Sequence, residues 1–92
     1  MTNILEEHVF EAVVEVLKSS NGMLGSLNEE INMETDLAED LGVDSLRLVS
    51  IMSDLEDRYE IEFSVEDTDA RRFHYVSDIV HVTLRTLRAT GT

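Results

Sequence analysis

Cysteine is absent from this 92-residue chain, which removes a disulfide framework, a thiolate metal site and a cysteine nucleophile together. Proline is absent as well, so turns and helix ends must be marked by glycine, capping side chains and changes of periodicity. Basic residues are scarce: seven Lys plus Arg face twenty Asp plus Glu, a formal net charge of −13. A surface of that sign repels phosphate backbones and anionic lipid, and so argues against nucleic acid and membrane surfaces as partners. No apolar run is long enough to span a bilayer, and Met1-Thr2-Asn3-Ile4-Leu5-Glu6-Glu7 lacks the basic start and apolar stretch of a secretory signal. The cytoplasm is the expected compartment.

What is present is 42% hydrophobic residues, enough for one modest core, and a single domain is expected over residues 1–92. Most side chains of so short a chain must either build that core or keep it soluble, which favours binding or carrying over catalysis. Residues 1–46 hold eleven acids and only Lys18, residues 47–92 nine acids and six arginines, so the halves carry −10 and −3. The acidic surface serves solubility, docking of basic partners, or both.

Helical periodicity organises the chain. Leu5, Val9, Ala12, Val13, Val16 and Leu17 recur on one face, opposite Glu7, Glu11, Glu15 and Lys18, and predict a first helix. Asn3 followed by Glu6 forms a capping-box pattern, and Ser19-Ser20-Asn21-Gly22 is a stop. A long polar connection then runs to about Gly42, with Leu24, Leu27, Ile31, Met33, Leu37 and Leu41 spaced along it; those apolar residues predict that it lies over the core. From Asp44 a second helix carries Leu48, Met52, Leu55 and Tyr59 on one stripe, with Val49 and Ile51 flanking. One brief helical turn is expected near Glu66 to Ala70. A last helix starts at Val76 or Ser77, with Ser77 as N-cap and Val76, Ile79, Val80, Leu84 and Leu87 on one face. No period-two alternation reaches strand length, so the expected fold is all-α: a bundle of three long helices and one short third helix.

The chemistry concentrates in Asp40-Leu41-Gly42-Val43-Asp44-Ser45-Leu46, a turn that delivers a serine to the first turn of a helix. Gly42 permits the tight turn and Asp44 is placed to cap the exposed amides. Those amides, at the positive end of the helix dipole, favour a phosphate attached to Ser45. At 100° per residue Ser45 lies about 50° from the centre of the apolar stripe, at its edge, whereas Leu46 falls on the polar side with Ser50, Ser53 and Asp57. An exposed Leu is ordinary in itself, but beside an attachment site it becomes an anchor for partners. Arg47 falls about 110° from the stripe centre, also in solvent.

These residues resemble the acyl carrier protein family, whose hallmark is an Asp-Ser-Leu triplet opening the second helix of a four-helix bundle. Here the triplet is Asp44-Ser45-Leu46, preceded by Thr35-Asp36-Leu37 and Asp40-Leu41-Gly42 and followed by Leu55-Glu56-Asp57-Arg58-Tyr59, Glu66-Asp67 and Val76-Ser77-Asp78-Ile79. The likeness covers most of the chain from Glu30 onward. It implies that a phosphopantetheinyl transferase moves the 4'-phosphopantetheine group of coenzyme A onto Ser45. Acyl groups then ride as thioesters on the arm, presented to acyl-loading, condensing or acyl-transferring enzymes of fatty-acid, polyketide or related biosynthesis. The chain is then a monomeric carrier and not an enzyme. Asp44 and Leu46 are expected to support the cofactor site, and Leu46, Arg47, Ser50, Asp54 and Asp57 to meet partners. Arg47 and Ser50 stand where fatty-acid carriers usually have acids, and Ser64 replaces a common proline, which points to a specialised discrete carrier. Val43 stands where peptidyl carriers usually show a second glycine, so a peptidyl carrier is a weaker reading. An acidic helical interaction module without a prosthetic group is the rival from another class; it explains the charge but not the placement of Ser45.

Other constellations are weaker. His8, His74 and His81 lie on three different elements and predict no shared metal site. Asp36, Asp40 and Asp44 lack the spacing and central glycine of a calcium loop. Val43 and Arg47 occupy the positions where a nucleophile elbow needs glycines. Tyr59, Phe63, Phe73 and Tyr75 cluster in sequence beside Val65 and Val76, and serve either as core filling or as shelter for a bound chain.

Overall fold

A computed structural model describes residues 4–20, 31–64 and 69–90. Three α-helices account for most of them: α1 over Ile4–Ser20, α2 over Ser45–Tyr59 and α3 over Val76–Thr90. Among the described residues there is no strand, only an isolated antiparallel bridge between Asp36 and Tyr75. The architecture is all-α, with α1 packed against both α2 and α3.

The apolar stripes meet as their spacing requires. Val9, Val13, Val16 and Leu17 of α1, Leu48, Ile51, Met52 and Leu55 of α2, and Val76, Ile79, Val80 and Leu84 of α3 form one buried cluster. Thr83 is buried with them at no polar cost, because its hydroxyl donates to the Ile79 carbonyl at 2.8 Å. Two stripe assignments need correction. Leu5 is exposed near the start of α1, and Val49 is exposed on α2, because the partner helices cover only the arc centred on Leu48, Met52 and Leu55.

The 31–43 connection lies over the core as its apolar residues require: Leu37, Leu41 and Val43 are buried, and Ile31 and Met33 pack against the cluster. Leu24 and Leu27 fall outside the described residues, as do Asn3 of the capping pattern and Asn21 and Gly22 of the stop. The connection is fixed largely by its own carboxylates. Asp36 Oδ1 accepts from the Ala38 and Glu39 amides, and Asp40 Oδ2 accepts from the Asp36 amide, all at 2.8–2.9 Å. Asp36 and Asp40 are thus occupied with backbone donors. Gly42 ends the segment at φ +66; a Cβ there would meet nothing within 4 Å, so backbone conformation rather than space requires the glycine.

The same connection also begins α3. The Val76 amide donates to Thr35 O and the Ser77 amide to Met33 O, both at 3.0 Å, while Leu37 N donates to His74 O at 2.9 Å. Ser77 is therefore not the N-cap. It lies inside the helix, and Asp78 reaches back so that Oδ2 accepts from the His74 and Tyr75 amides at 2.9 Å. This is the N3 half of a capping box, with carbonyls of a distant loop satisfying the amides that a cap serine would have taken.

The short helical turn expected near residues 66–70 falls mostly on 65–68, outside the described residues; what is described is a 3₁₀ turn over Ala70–Arg72. Asp69 secures it. Its carboxylate accepts from the Arg71 backbone amide, Nε and Nη2, and this pairing holds the carboxyl below the usual carboxylate range.

Candidate functional site

The start of α2 is a capped helix N-terminus. Asp44, in extended conformation, is the N-cap: its Oδ1 accepts from the Arg47 amide at 2.8 Å, and its carbonyl accepts the Leu48 amide at 2.9 Å. The first-turn donors that this leaves for a group on Ser45 are the amides of Ser45 and Leu46. Ser45 is exposed. Val43, two residues before it, is pinned by its amide to Leu37 O at 2.8 Å, so the serine is presented from a fixed turn.

Beside Ser45 opens a cavity of about 240 Å³. Leu37, Val43, Leu48 and Phe73 line it with buried apolar surface; Ala38, Asp44 and Ser45 complete the wall. No sequence signal pointed to this cavity, because its walls come from the connection, from α2 and from the approach to α3. Of the four aromatics offered as core filling or shelter, Phe63 and Phe73 join the core cluster and Tyr59 packs against it, while Tyr75 is exposed; Phe73 alone lines the cavity. Tyr59 also lies edge-on to His8, with ring centroids 6.4 Å apart. Val65 falls outside the described residues.

Leu46 is 81% exposed and Val49 60%, so they form an apolar pair three residues apart on the outer face of α2, close to Ser45. The helical wheel located Leu46; Val49 was missed because it was counted with the stripe. Arg47, Ser50, Ser53, Asp54 and Asp57 are also exposed. Asp54 and Asp57, however, line a recess of about 360 Å³ with Val16, Ser19 and Arg58, on the side of α2 that meets α1. The expected partner-contacting set is thus spread from the outer face to the α1–α2 groove.

Further along that groove Arg58 pairs with Glu15 at 3.4 Å. The Tyr59 hydroxyl is buried without a hydrogen-bond partner; burial pushes the phenol above its ordinary pKa, with Arg58 opposing and Glu15 reinforcing the shift. His8 lies on α1, His74 ahead of α3 and His81 on α3, and the described residues contain no metal-binding group of His, Cys, Asp or Glu. No helix among the described residues is long and apolar enough to cross a membrane.

Comparison with known proteins agrees with this geometry. Residues 9–71, more than half of the chain, match the family model described as a phosphopantetheine attachment site. An acyl carrier protein of Exiguobacterium sibiricum is 34% identical over 70 residues, covering 76% of this chain and 86% of that protein. One of Saccharopolyspora erythraea is 38% identical over 78 residues, covering 85% and 77% respectively. A third, of Clostridium perfringens, is 45% identical over 56 residues, covering 60% and 71%. With an exposed serine opening a capped helix, a family model over most of the core and relatives matched along most of their length, the chain belongs to the acyl carrier protein family.

Proposed function

We propose that Ser45 holds the 4'-phosphopantetheine of this carrier, and that the chain presents acyl thioesters to enzymes that do the chemistry. The observation that carries this reading is the placement of Ser45: exposed, first in α2, with first-turn amides beside it and an apolar cavity alongside. The residues present fit the group. Ser45 Oγ forms the phosphodiester, the Ser45 and Leu46 amides face the phosphate, and Asp44 keeps the helix end closed by holding the Arg47 amide. The arm supplies what the sequence lacks, a thiol.

Leu46 and Val49 are the apolar contact for the transferase and for acyl-loading, condensing or acyl-transferring enzymes, with Ser50 beside them and Asp54 and Asp57 toward α1. Arg47 and Ser50 place positive and neutral groups near the arm, which supports a specialised biosynthetic role over housekeeping fatty-acid synthesis. The whole chain is one acyl carrier domain, a cytoplasmic monomer without catalytic activity. The four-helix bundle with one short third helix remains part of this reading, and the 3₁₀ turn over Ala70–Arg72 supports it.

Because cysteine is absent, the reading is tested by counting thiols. After incubation with coenzyme A and a broad-specificity transferase, then removal of small molecules, the chain should titrate with one thiol and accept one hydroxylamine-labile acyl group. A chain that gains no thiol is not a carrier of this kind.

A further inference from the structure

Asp78 is a half-buried carboxylate near the start of α3, and its hydrogen bonds lead across the fold toward Ser45. Its Oδ2 accepts from the His74 and Tyr75 amides, each at 2.9 Å. The Tyr75 N–H belongs to the same planar peptide as the His74 carbonyl, so holding one end fixes the direction of the other. That carbonyl accepts the Leu37 amide at 2.9 Å, and the Leu37 carbonyl accepts the Val43 amide at 2.8 Å. A path of hydrogen bonds thus runs from Asp78, through one peptide ahead of α3 and one residue of the 31–43 connection, to the turn that presents the serine.

We infer that Asp78 is a positioning residue for the loading of Ser45; the inference rests on Ser45 being the attachment point. An exposed serine gains little placement from its own packing, so its position is inherited from Val43 and Asp44 before it. The bonds of the Asp36 and Asp40 carboxylates shape the connection but stay within it. The Leu37–His74 bond, with those of Val76 to Thr35 and Ser77 to Met33, attaches the connection to the approach to α3. Asp78 orients the peptide that receives Leu37. A carboxylate acceptor bonds more strongly than a neutral one and polarises the peptide it holds, which strengthens the bond at the carbonyl end. In loading, Ser45 Oγ bonds to the phosphorus next to the pantetheine of coenzyme A. Its proton passes to a base of the transferase, and adenosine bisphosphate leaves as the P–O bond between the two phosphates breaks. That displacement requires Oγ at a defined place, so a serine held less firmly loses turnover. Binding is spared, because the exposed Leu46 and Val49 on α2 are unchanged.

The test uses the full chain with coenzyme A and a broad-specificity transferase, at a temperature where every variant is folded. Asp78→Ala should lower kcat for loading by about tenfold and leave KM near the wild-type value. In the same variant without the arm, the Leu37 and Val43 amides should lose protection from hydrogen exchange relative to the amides of α1. Asp78→Asn keeps an oxygen acceptor and should restore most of the rate. Leu84→Ala removes a buried side chain of the same helix, and should lower stability while the folded protein loads at the wild-type rate. Couplings across the Leu37–His74 and Val43–Leu37 hydrogen bonds should be present in the wild type, a measurement that needs no variant. The inference is overturned by wild-type turnover in Asp78→Ala, by Asp78→Asn as slow as Asp78→Ala, by an equal loss in Leu84→Ala, or by the absence of those couplings. A wild type that takes up no group at Ser45 overturns the attachment reading itself. A loaded wild type, with Val43 protection unchanged in Asp78→Ala, overturns only the positioning.

Discussion

Leu46 and Arg47 follow Ser45 on α2 and are exposed, and the roles proposed for them separate by the kind of measurement each affects. Leu46 buries little in the isolated chain, so Leu46→Glu should change unfolding free energy by no more than about 0.5 kcal/mol while slowing loading by the transferase. A loss of roughly 2 kcal/mol or more, as for a truncated core leucine, would mean that Leu46 is packed. Arg47 acts through charge. Contacts at exposed sites are screened within about 8 Å at physiological salt, so its influence belongs mainly to association rates. Arg47→Asp should quicken acyl transfer with a fatty-acid synthase enzyme and slow it with the cognate enzyme, both differences shrinking as salt rises. Equal, salt-independent rates for both proteins would remove Arg47 from partner choice. Leu46 and Arg47 were legible in the sequence because a helical wheel needs only the helix. Val49 was not, since its exposure depends on how wide an arc of α2 its neighbours cover.

At the scale of elements, the three long helices follow from their apolar spacing, but their ends do not all follow from local signals. The Asp44 cap was readable because donor and acceptor lie three residues apart. The start of α3 was not: the amides of Val76 and Ser77 are satisfied by Thr35 and Met33, some forty residues earlier in the chain, and only a folded connection brings them there. The end of α2 is held by Glu60 at φ 55, a left-handed conformation that costs a residue with a Cβ, while its amide bonds to Glu56 O. Glu60→Gly should therefore stabilise the protein by about 1 kcal/mol in urea unfolding; a destabilised variant would show that the Glu60 side chain contributes more than its backbone strain removes. Tyr59, one residue earlier, joins α2 to α1. In a Tyr75→Phe background it is the sole phenol, and absorbance titration should place its pKa above the ordinary tyrosine value, further above it in Arg58→Gln. The sign follows directly: a folded pKa raised above the unfolded one gives stability that is present below the unfolded pKa and is lost as pH rises through the folded one. An unshifted titration would place the hydroxyl in water.

For the molecule as a whole, a charge of −13 on one small core implies self-repulsion, and a surface of that sign attracts basic groups. The all-α class, the order of the helices and the place of Ser45 at the start of α2 were all legible from periodicity and one triplet. The cavity beside that serine was not, because Leu37, Leu48 and Phe73 share no local pattern and become neighbours only when the connection closes over the bundle. The proposed function rests on Ser45, so the most direct measurement is intact mass with peptide mapping of wild type and Ser45→Ala after incubation with coenzyme A and transferase. The account predicts one phosphopantetheinyl group on the wild type, mapped to Ser45, and none on a Ser45→Ala protein that folds normally. Modification that survives in Ser45→Ala, or that maps to Ser50 or Ser53, would contradict it.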